Sequence, residues 1–214
     1  DVVIMAAGKG TRMKSTLPKV LHRLGGKPLL EHVIDAAAQL NARSAVVITG
    51  HESKVVQSAV NSIAFKAINT PGKAVFDAYK SINSVLQEPQ LGTGHAVQQT
   101  VPVLPDDGMV LVLSGDVPLT QVDTLRALIE TSGGDKLALL TIDFDNPAGY
   151  GRVVRSNDAG RGAVQAIVEQ KDANDAQKAI KEVYSGIMAV PAKLLKGWLA
   201  RLDNKNAQGE YYLT

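Results

Sequence analysis

The amino-terminal segment constrains the fold most strongly. An apolar run, Val2–Met5, leads directly into residues 6–10, Ala-Ala-Gly-Lys-Gly, and two cations follow at Arg12 and Lys19. A strand that ends in a loop of small residues lets backbone N–H groups approach a phosphate, because no bulky side chain intervenes. The two cations would supply the positive charge that a polyphosphate requires. The segment therefore predicts a phosphate-binding loop, and a tight strand-to-helix turn with ordinary surface cations remains the alternative.

Two common phosphate motifs do not fit this segment. A Walker A loop requires glycine directly before Lys-Ser, but Met13 precedes Lys14 and Ser15. The dinucleotide fingerprint requires a third glycine where Met13 stands, and an acidic residue about twenty residues further on that is not evident here. The spacing therefore argues against a P-loop GTPase or kinase and against a dinucleotide-binding protein.

Composition narrows the class of protein further. The 214 residues suffice for one α/β domain, with 45% hydrophobic and 21% charged residues. A net charge of +2 gives no reason to expect a nucleic acid or an acidic membrane as partner. The sequence contains no cysteine, which excludes disulfides and thiolate chemistry, and no apolar run approaches the length of a membrane span. Since no secretory signal is recognisable, we expect a cytoplasmic protein.

Apolar strands alternate with amphipathic helices along most of the chain, which predicts an α/β fold with a mainly parallel sheet flanked by helices. Strands are expected at 2–5, 44–49, 109–114 and 137–143, and helices at 28–40, 94–104 and 121–131, the last with a capping box formed by Thr120 and Asp123. After Gly149 we expect a hairpin of 153–155 and 163–168 turning at 157–160, a short helix at 175–181, a strand at 183–190, and a helix opened by Pro191. Trp198 is expected to pack in the core.

Six segments, taken in chain order, resemble the sugar-1-phosphate nucleotidyltransferases. They are AAGKGTRM at 6–13 with LPK at 17–19, QEPQLGTGHA at 87–96, GDVPL at 115–119, GYGR at 149–152, IVEQKD at 167–172 and NAQGEYYLT at 206–214. More narrowly, they resemble the uridyltransferase domain of the bacterial bifunctional N-acetylglucosamine-1-phosphate uridyltransferases/glucosamine-1-phosphate acetyltransferases. The resemblance covers nearly the whole chain and implies a Rossmann-like nucleotide-diphospho-sugar transferase fold.

The resemblance implies an activity and a set of site residues. UTP and N-acetylglucosamine 1-phosphate would give UDP-N-acetylglucosamine and pyrophosphate by in-line attack assisted by Mg²⁺. Arg12 and Lys19 would be catalytic, and Asp116 would bind the metal. Substrates would be bound by Met5, Ala6, Ala7, Gly8, Gln87, Gln90, Gly92, Thr93, Gly151, Glu169, Tyr184, Tyr212 and Thr214. A transferase for another nucleotide or sugar phosphate, or a non-catalytic nucleotide-sugar binding fragment, is the alternative.

Elementary chemistry agrees with several of these roles. Asp116 follows the predicted strand 109–114, at the sheet edge where α/β proteins bind ligands, although a solvated turn aspartate is the alternative. The amide of Gln87 suits the edge of uracil, and Gly92 would let the backbone approach the base. The alternative is a helix-entry turn in which Thr93 is the cap. Tyr184 departs from the family, where asparagine is usual.

The resemblance also implies a domain organisation. We expect one nucleotidyltransferase domain over 1–214, truncated at both ends, with a nucleotide-binding lobe at 1–148 and a sugar-binding lobe at 149–214. The carboxy-terminal β-helix that carries the acetyltransferase and would form a homotrimer is absent from the 214 residues, as is an asparagine that completes the metal site. The stretch near 63–82 is longer than the resemblance leads us to expect, and a helix around Phe76, Tyr79 and Lys80 is plausible there.

Overall fold

A mixed eight-stranded sheet forms the centre of the computed structural model, which describes residues 1–10, 13–70, 81–156 and 162–214. The strands are β1 Val2–Met5, β2 Arg23–Leu24, β3 Lys27–Pro28, β4 Ala45–Thr49, β5 Ile82–Leu86, β6 Met109–Ser114, β7 Ala138–Asp143, β8 Arg152–Arg155, β9 Val164–Val168 and β10 Glu182–Pro191. The helices are α1 Leu29–Gln39, α2 Ser53–Asn69, α3 Thr93–Gln98, α4 Val122–Ser132, α5 Asp175–Lys178 and α6 Ala192–Leu199. The main sheet has the order β5-β4-β1-β6-β10-β8-β9, β7 pairs with β10, and β2 and β3 form a separate ribbon.

The first half of the sheet is parallel, and its strands β1, β4 and β6 are buried on both faces. β1 lies between β4 and β6 and is parallel to both, and β5 extends the sheet beside β4. Val3 and Ile4 are both fully buried, although they point to opposite faces. Strands that are covered on both sides appear in the sequence as continuous apolar runs, which is why β1, β4 and β6 were predicted while the more exposed β5 was missed.

Helices cover the two faces of this sheet. On one face α1, α2 and α4 bury an apolar core that includes Ile34, Val60 and Leu125. On the other face α3 and α6 bury a second core around Val97 and Leu195. The half-buried Trp198 packs against this second core, which confirms its predicted role.

The second half of the chain adds antiparallel strands to the same sheet. β10 is antiparallel to β6, β7 and β8, and β8 and β9 form an antiparallel pair. The predicted fold class is confirmed, because the sheet is mixed, is flanked by helices and has a parallel first half that continues into an antiparallel part. None of the helices in the described ranges is long and apolar enough to cross a bilayer.

Several predicted boundaries were wrong. The helix after Gly92 ends at Gln98 and not near residue 104, because turns follow and Pro102 disfavours helical geometry at the residue before it. Pro28 precedes α1 as its N-cap and is not the first helical residue. The predicted capping box of α4 is not formed, because Gln121 is the N-cap and the Thr120 hydroxyl bonds to a carbonyl instead.

Three predictions fall partly or wholly outside the described residues. These are the turn at 157–160, the helix around residues 76–80, and the catalytic Arg12. The hairpin strands on either side of the turn pair as expected. Within the long stretch before Gln87, the structure describes α2, a helix that carries the exposed Phe65.

Candidate active-site cleft

A cleft of about 1210 Å³ opens at the carboxyl edge of the parallel strands. Met5 ends β1, Ser114 ends β6, and Gly50 and Gln87 directly follow β4 and β5, and all four line the cleft. Ligands of open α/β sheets bind at this edge, because strand ends and helix starts converge there. Of the predicted site residues, the following line the cleft: Met5, Ala6, Ala7, Gly8, Lys19, Gln87, Gln90, Gly92, Thr93 and Asp116.

The loop after β1 is hydrogen-bonded to neighbouring segments at Ala7 and faces free space at Gly8. The carbonyl of Ala7 accepts hydrogen bonds from the backbone N–H of His51 at 3.3 Å and from the side-chain amide of Gln90. A Cβ atom at Gly8 would meet no other atom within 4 Å. The loop is thus held by neighbouring segments at Ala7 while its backbone at Gly8 faces free space in the cleft.

Lys19 and Asp116 form an ion pair in this cleft. The Lys19 ammonium contacts the Asp116 carboxylate, and their side chains are 36% and 26% exposed. Gly10 has φ +60°, and a Cβ atom there would lie 2.8 Å from Cβ of Lys19, so the loop packs directly on the lysine. The N–H of Gly115 donates to the Met5 carbonyl at 2.9 Å and holds the turn that carries Asp116 against β1.

Hydrogen bonds and close backbone packing within the protein fix the segment after β5. Gln87 is buried, and its amide nitrogen donates to the carbonyl of Gly92 at 2.8 Å. Gly92 has φ +112°, and a Cβ atom there would come 2.5 Å from the Tyr211 carbonyl. Thr93 does not cap α3, whose N-cap is Gly92, and its hydroxyl accepts a bond from the N–H of Leu213 at 3.0 Å. The carboxy-terminal segment therefore closes over this loop.

A second group of predicted residues forms a row across β10, β8 and β9. The N–H of Tyr184 donates to the Gly151 carbonyl at 3.0 Å, and Gly151 and Glu169 stand one position beyond the Arg152–Val168 pair. A Cβ atom at Gly151 would lie 3.0 Å from Oε1 of Glu169. Glycine at position 151 thus lets the Glu169 carboxylate lie close against the backbone there. We call Tyr184, Gly151 and Glu169 the cross-strand row.

Burial governs the electrostatics of this row. Burial raises the pKa of Glu169, and the neighbouring Asp172 and Glu210 raise it further, while a hydrogen bond from Thr214 at 3.2 Å opposes the shift. The hydroxyl of Tyr184 is buried without a hydrogen-bond partner in the described parts of the chain, and burial raises its pKa. Burial, together with nearby carboxylates, raises the pKa of Tyr212 to about 12. Neutral phenols and one carboxylate suit a ligand rich in hydroxyl and amide groups.

Sequence reasoning missed one wall of the cleft. Residues at the start of α2, namely Gly50, His51, Glu52, Ser53 and Lys54, line it together with Glu210. A usable signal existed, because they follow a predicted strand whose carboxyl end lies beside that of β1. Glu210 also acts on the pKa of Glu169, so it joins the cleft to the cross-strand row.

Asp116 is the candidate metal ligand in the cleft. Among the residues that the structure describes, no three histidine, aspartate or glutamate side chains are grouped to hold a metal ion. A single carboxylate at the sheet edge fits a hard cation that takes its remaining ligands from phosphate oxygens and water, which is the usual mode for Mg²⁺.

The fold and the cleft define an α/β protein with a large cleft at the carboxyl edge of its parallel strands. The sequence profile of the MobA-like NTP transferase domain matches residues 2–183, and the chain belongs to this family. Over its whole length the chain is 67% identical to the bifunctional protein GlmU of Albidiferax ferrireducens and 63% identical to that of Polaromonas naphthalenivorans. It spans 43% of the length of each of these relatives.

Two solved structures share the fold. A UDP-glucose pyrophosphorylase complexed with UDP-glucose matches all of this chain and 83% of its own chain, with a TM-score of 0.75 at 16% identity. A putative glucose-1-phosphate thymidylyltransferase from Bacillus anthracis, in complex with sucrose, matches 91% of this chain and 72% of its own, with a TM-score of 0.66 at 18% identity. The similarity at this identity establishes the architecture.

Proposed function

We propose that the protein is a sugar-1-phosphate uridyltransferase that makes UDP-N-acetylglucosamine and pyrophosphate from UTP and N-acetylglucosamine 1-phosphate. The observation that carries the proposal is the cleft that joins the ion-paired Lys19 and Asp116 to an open glycine loop, next to a row of neutral and acidic hydrogen-bonding groups. The high identity to the GlmU proteins supports the choice of nucleotide and sugar.

The phosphate half of the site uses the loop and the lysine. The backbone around Gly8 cradles the triphosphate, where the structure leaves space for close approach. Lys19 neutralises charge at the α-phosphate or at the attacking sugar phosphate, and Arg12 does so at the departing pyrophosphate. Losing a charge contact of this kind commonly costs on the order of 10²-fold in rate.

Asp116 would hold Mg²⁺, which would supply positive charge beside the phosphates of the nucleotide. When bound, the ion screens the negative charge of the triphosphate and favours the departure of pyrophosphate. If Asp116 held the ion, Lys19 would exchange its contact with Asp116 for a contact with phosphate. The exposure of both side chains leaves room for that exchange.

The base half of the site lies after β5. Gln87 donates its amide nitrogen to Gly92 and so shapes the loop that receives uracil. Gln90 holds the loop after β1 through the Ala7 carbonyl. Backbone groups near Gly92 and Thr93 contact the uracil ring directly.

The cross-strand row receives the sugar. Glu169 accepts hydrogen bonds from sugar hydroxyls, and the hydroxyl of Tyr184 finds in the ligand the partner that it lacks in the described protein. The backbone of Gly151, which carries no side chain beside Glu169, contacts the N-acetyl group. Tyr212 and Thr214 close the wall of this pocket beside Glu169.

Positioning accounts for the chemistry. The sugar phosphate oxygen attacks the α-phosphorus in line, and pyrophosphate leaves on the opposite side without a covalent enzyme intermediate. We further propose that the acetyltransferase activity and the trimer implied by the resemblance belong to a separate β-helix, and that the protein works in the cytoplasm.

Pyrophosphate release is the decisive test. UTP with N-acetylglucosamine 1-phosphate should be the best pair in a panel of four nucleoside triphosphates and several sugar phosphates, and Lys19→Ala should abolish most of the signal. Preference for glucose 1-phosphate or for another triphosphate would overturn the substrate assignment. Tight UDP-sugar binding by calorimetry without pyrophosphate release would instead indicate a binding module, and a ping-pong pattern would refute the single displacement.

A further inference from the structure

Arg152 carries a buried charge with an unusual environment. Its side chain is only 1% exposed, and it is among the largest fully buried side chains of the described chain. One terminal nitrogen donates to Oε1 of Gln170 at 2.7 Å, the other donates to the Tyr150 carbonyl, and Nε has no partner. In the described ranges no carboxylate forms an ion pair with it. A buried cation without a counter-ion costs stability, so another reason for its presence is expected.

The position of Arg152 points to that reason. Successive side chains of a strand face opposite sides of the sheet, so Arg152 lies behind the face that carries Gly151 and Glu169. Gln170 shares the rear face with Arg152, and the 2.7 Å contact between them agrees with this alternation. The arginine is therefore directly behind the sugar-binding face, one residue from each strand position that supplies it.

Gln170 connects Arg152 to a second backbone segment, and we call Arg152 and Gln170 with their hydrogen bonds the clamp. Its Oε1 accepts a hydrogen bond from the Arg152 guanidinium and another, at 3.1 Å, from the backbone N–H of Gly149. Arg152 also holds the Tyr150 carbonyl. The clamp thus joins the turn before Gly151 to the segment after Glu169, and so fixes the spacing between these two members of the cross-strand row.

The charge of Arg152 also acts on Glu169. Burial and the carboxylates of Asp172 and Glu210 all disfavour the ionised form of Glu169, and Arg152 is the cation that opposes them. The remaining neighbours are the hydroxyls of Thr214 and of the two phenols, Tyr184 and Tyr212. An ionised Glu169 is the stronger acceptor for ligand hydroxyls.

We propose that Arg152 is a positioning residue for the sugar phosphate, which fixes the cross-strand row through Gln170 and supplies the positive charge behind Glu169. The inference deepens the proposed function and rests on it for the identity of the ligand. It separates two effects, geometry and charge, that different substitutions remove.

Four variants distinguish these effects. Arg152→Met removes both the clamp and the charge. Arg152→Lys keeps the charge and loses the two-pronged contact, while Gln170→Met breaks the clamp and leaves the guanidinium. Arg155→Met is the matched control, because Arg155 lies on the same strand but pairs with Glu182 at 2.6 Å.

Steady-state kinetics and one titration provide the readouts. Arg152→Met should raise KM for the sugar phosphate about tenfold or more, with KM for UTP and kcat little changed. The acid limb of the sugar-phosphate profile should move to higher pH in Arg152→Met, and stay in place in Arg152→Lys and Gln170→Met. Arg155→Met should lower the melting temperature without a selective effect on the sugar phosphate.

A ¹³C NMR titration of the Glu169 carboxyl, identified by its loss in Glu169→Gln, decides the charge effect without catalysis. Its midpoint should rise in Arg152→Met and hold in Gln170→Met. An unchanged midpoint, or equal KM effects in Arg152→Met and Arg155→Met, would overturn the proposal. A wild-type protein that releases no pyrophosphate would refute the proposed function. The titration would still test whether the charge of Arg152 acts on Glu169. If Arg152→Met does not fold, the kinetic test uses Arg152→Lys and Gln170→Met. Wild-type KM values for the sugar phosphate in these two variants would refute the positioning role of the clamp.

Discussion

Gly10 and Gly8 lie two residues apart in the loop after β1, yet we expect alanine to affect them in opposite ways. Gly10 has φ +60°, and a Cβ atom there would lie 2.8 Å from Cβ of Lys19. Gly8 has no positive φ, and its Cβ atom would meet nothing within 4 Å. Gly10→Ala should therefore destabilise the protein, whereas Gly8→Ala should leave its stability nearly unchanged and impair binding.

The size of each effect follows from these numbers. A left-handed backbone costs alanine about 1–2 kcal/mol, and relief of the close contact with Lys19 adds about 1 kcal/mol. Alanine also reduces the conformational freedom of the unfolded chain, which stabilises the folded state by about 0.4–1 kcal/mol. The net decrease in the free energy of unfolding is therefore about 2 kcal/mol for Gly10→Ala. For a domain of this size that loss lowers the melting temperature by about 4–8 °C. For Gly8→Ala only the unfolded-state gain remains.

Calorimetry can measure both properties. Scanning calorimetry gives the melting temperatures, and titration with UTP gives the affinity. Gly8→Ala should bind UTP at least about tenfold more weakly, because its methyl group occupies the space where phosphate approaches the backbone. Wild-type affinity in Gly8→Ala would refute the cradle, and a wild-type melting temperature in Gly10→Ala would refute the strain argument.

Four further results are expected. Lys19→Ala should lower kcat about 10²-fold in a pyrophosphate assay, and full activity would contradict its role. Asp116→Asn should raise the Mg²⁺ concentration needed for half-maximal rate, and an unchanged requirement would remove it from the metal site. Burial raises the pKa of Glu169, so folding stability falls as pH rises from the ordinary glutamate pKa to the raised one, and Glu169→Gln should remove that fall in urea unfolding. Glu182 should do the reverse, because its hydrogen bond from Arg155 lowers its pKa, so its stabilisation exists above the ordinary pKa and is lost as pH falls.

The buried strands of the parallel part could be predicted because local pattern and tertiary environment agree there, whereas the exposed edge strand β5 was missed. β1 and β6 are buried on both sides, and each appears in the sequence as an uninterrupted apolar run. Helix ends were less predictable. Pro102 and the turns around Thr100 end α3 early, and the residue at the cap of α4 depends on how the preceding turn meets the sheet.

The candidate site likewise has a part that could be predicted from the sequence and a part that could not. Gly8, Lys19 and Asp116 follow strands whose carboxyl ends meet at one edge, so their convergence in the cleft was foreseeable. The start of α2 was missed, because its residues carry no motif and reach the cleft only through the pairing of β4 with β1.

By itself, the sequence determined the family and the buried central strands, because these depend on short contiguous motifs and on uninterrupted apolar runs. Only the tertiary structure decided that Tyr184, Gly151 and Glu169 form one row, and that Arg152 lies buried behind it. Strand register sets those neighbours, and register depends on the packing of the whole sheet. Residues far apart in the chain therefore acquire their chemical environment only when the sheet assembles.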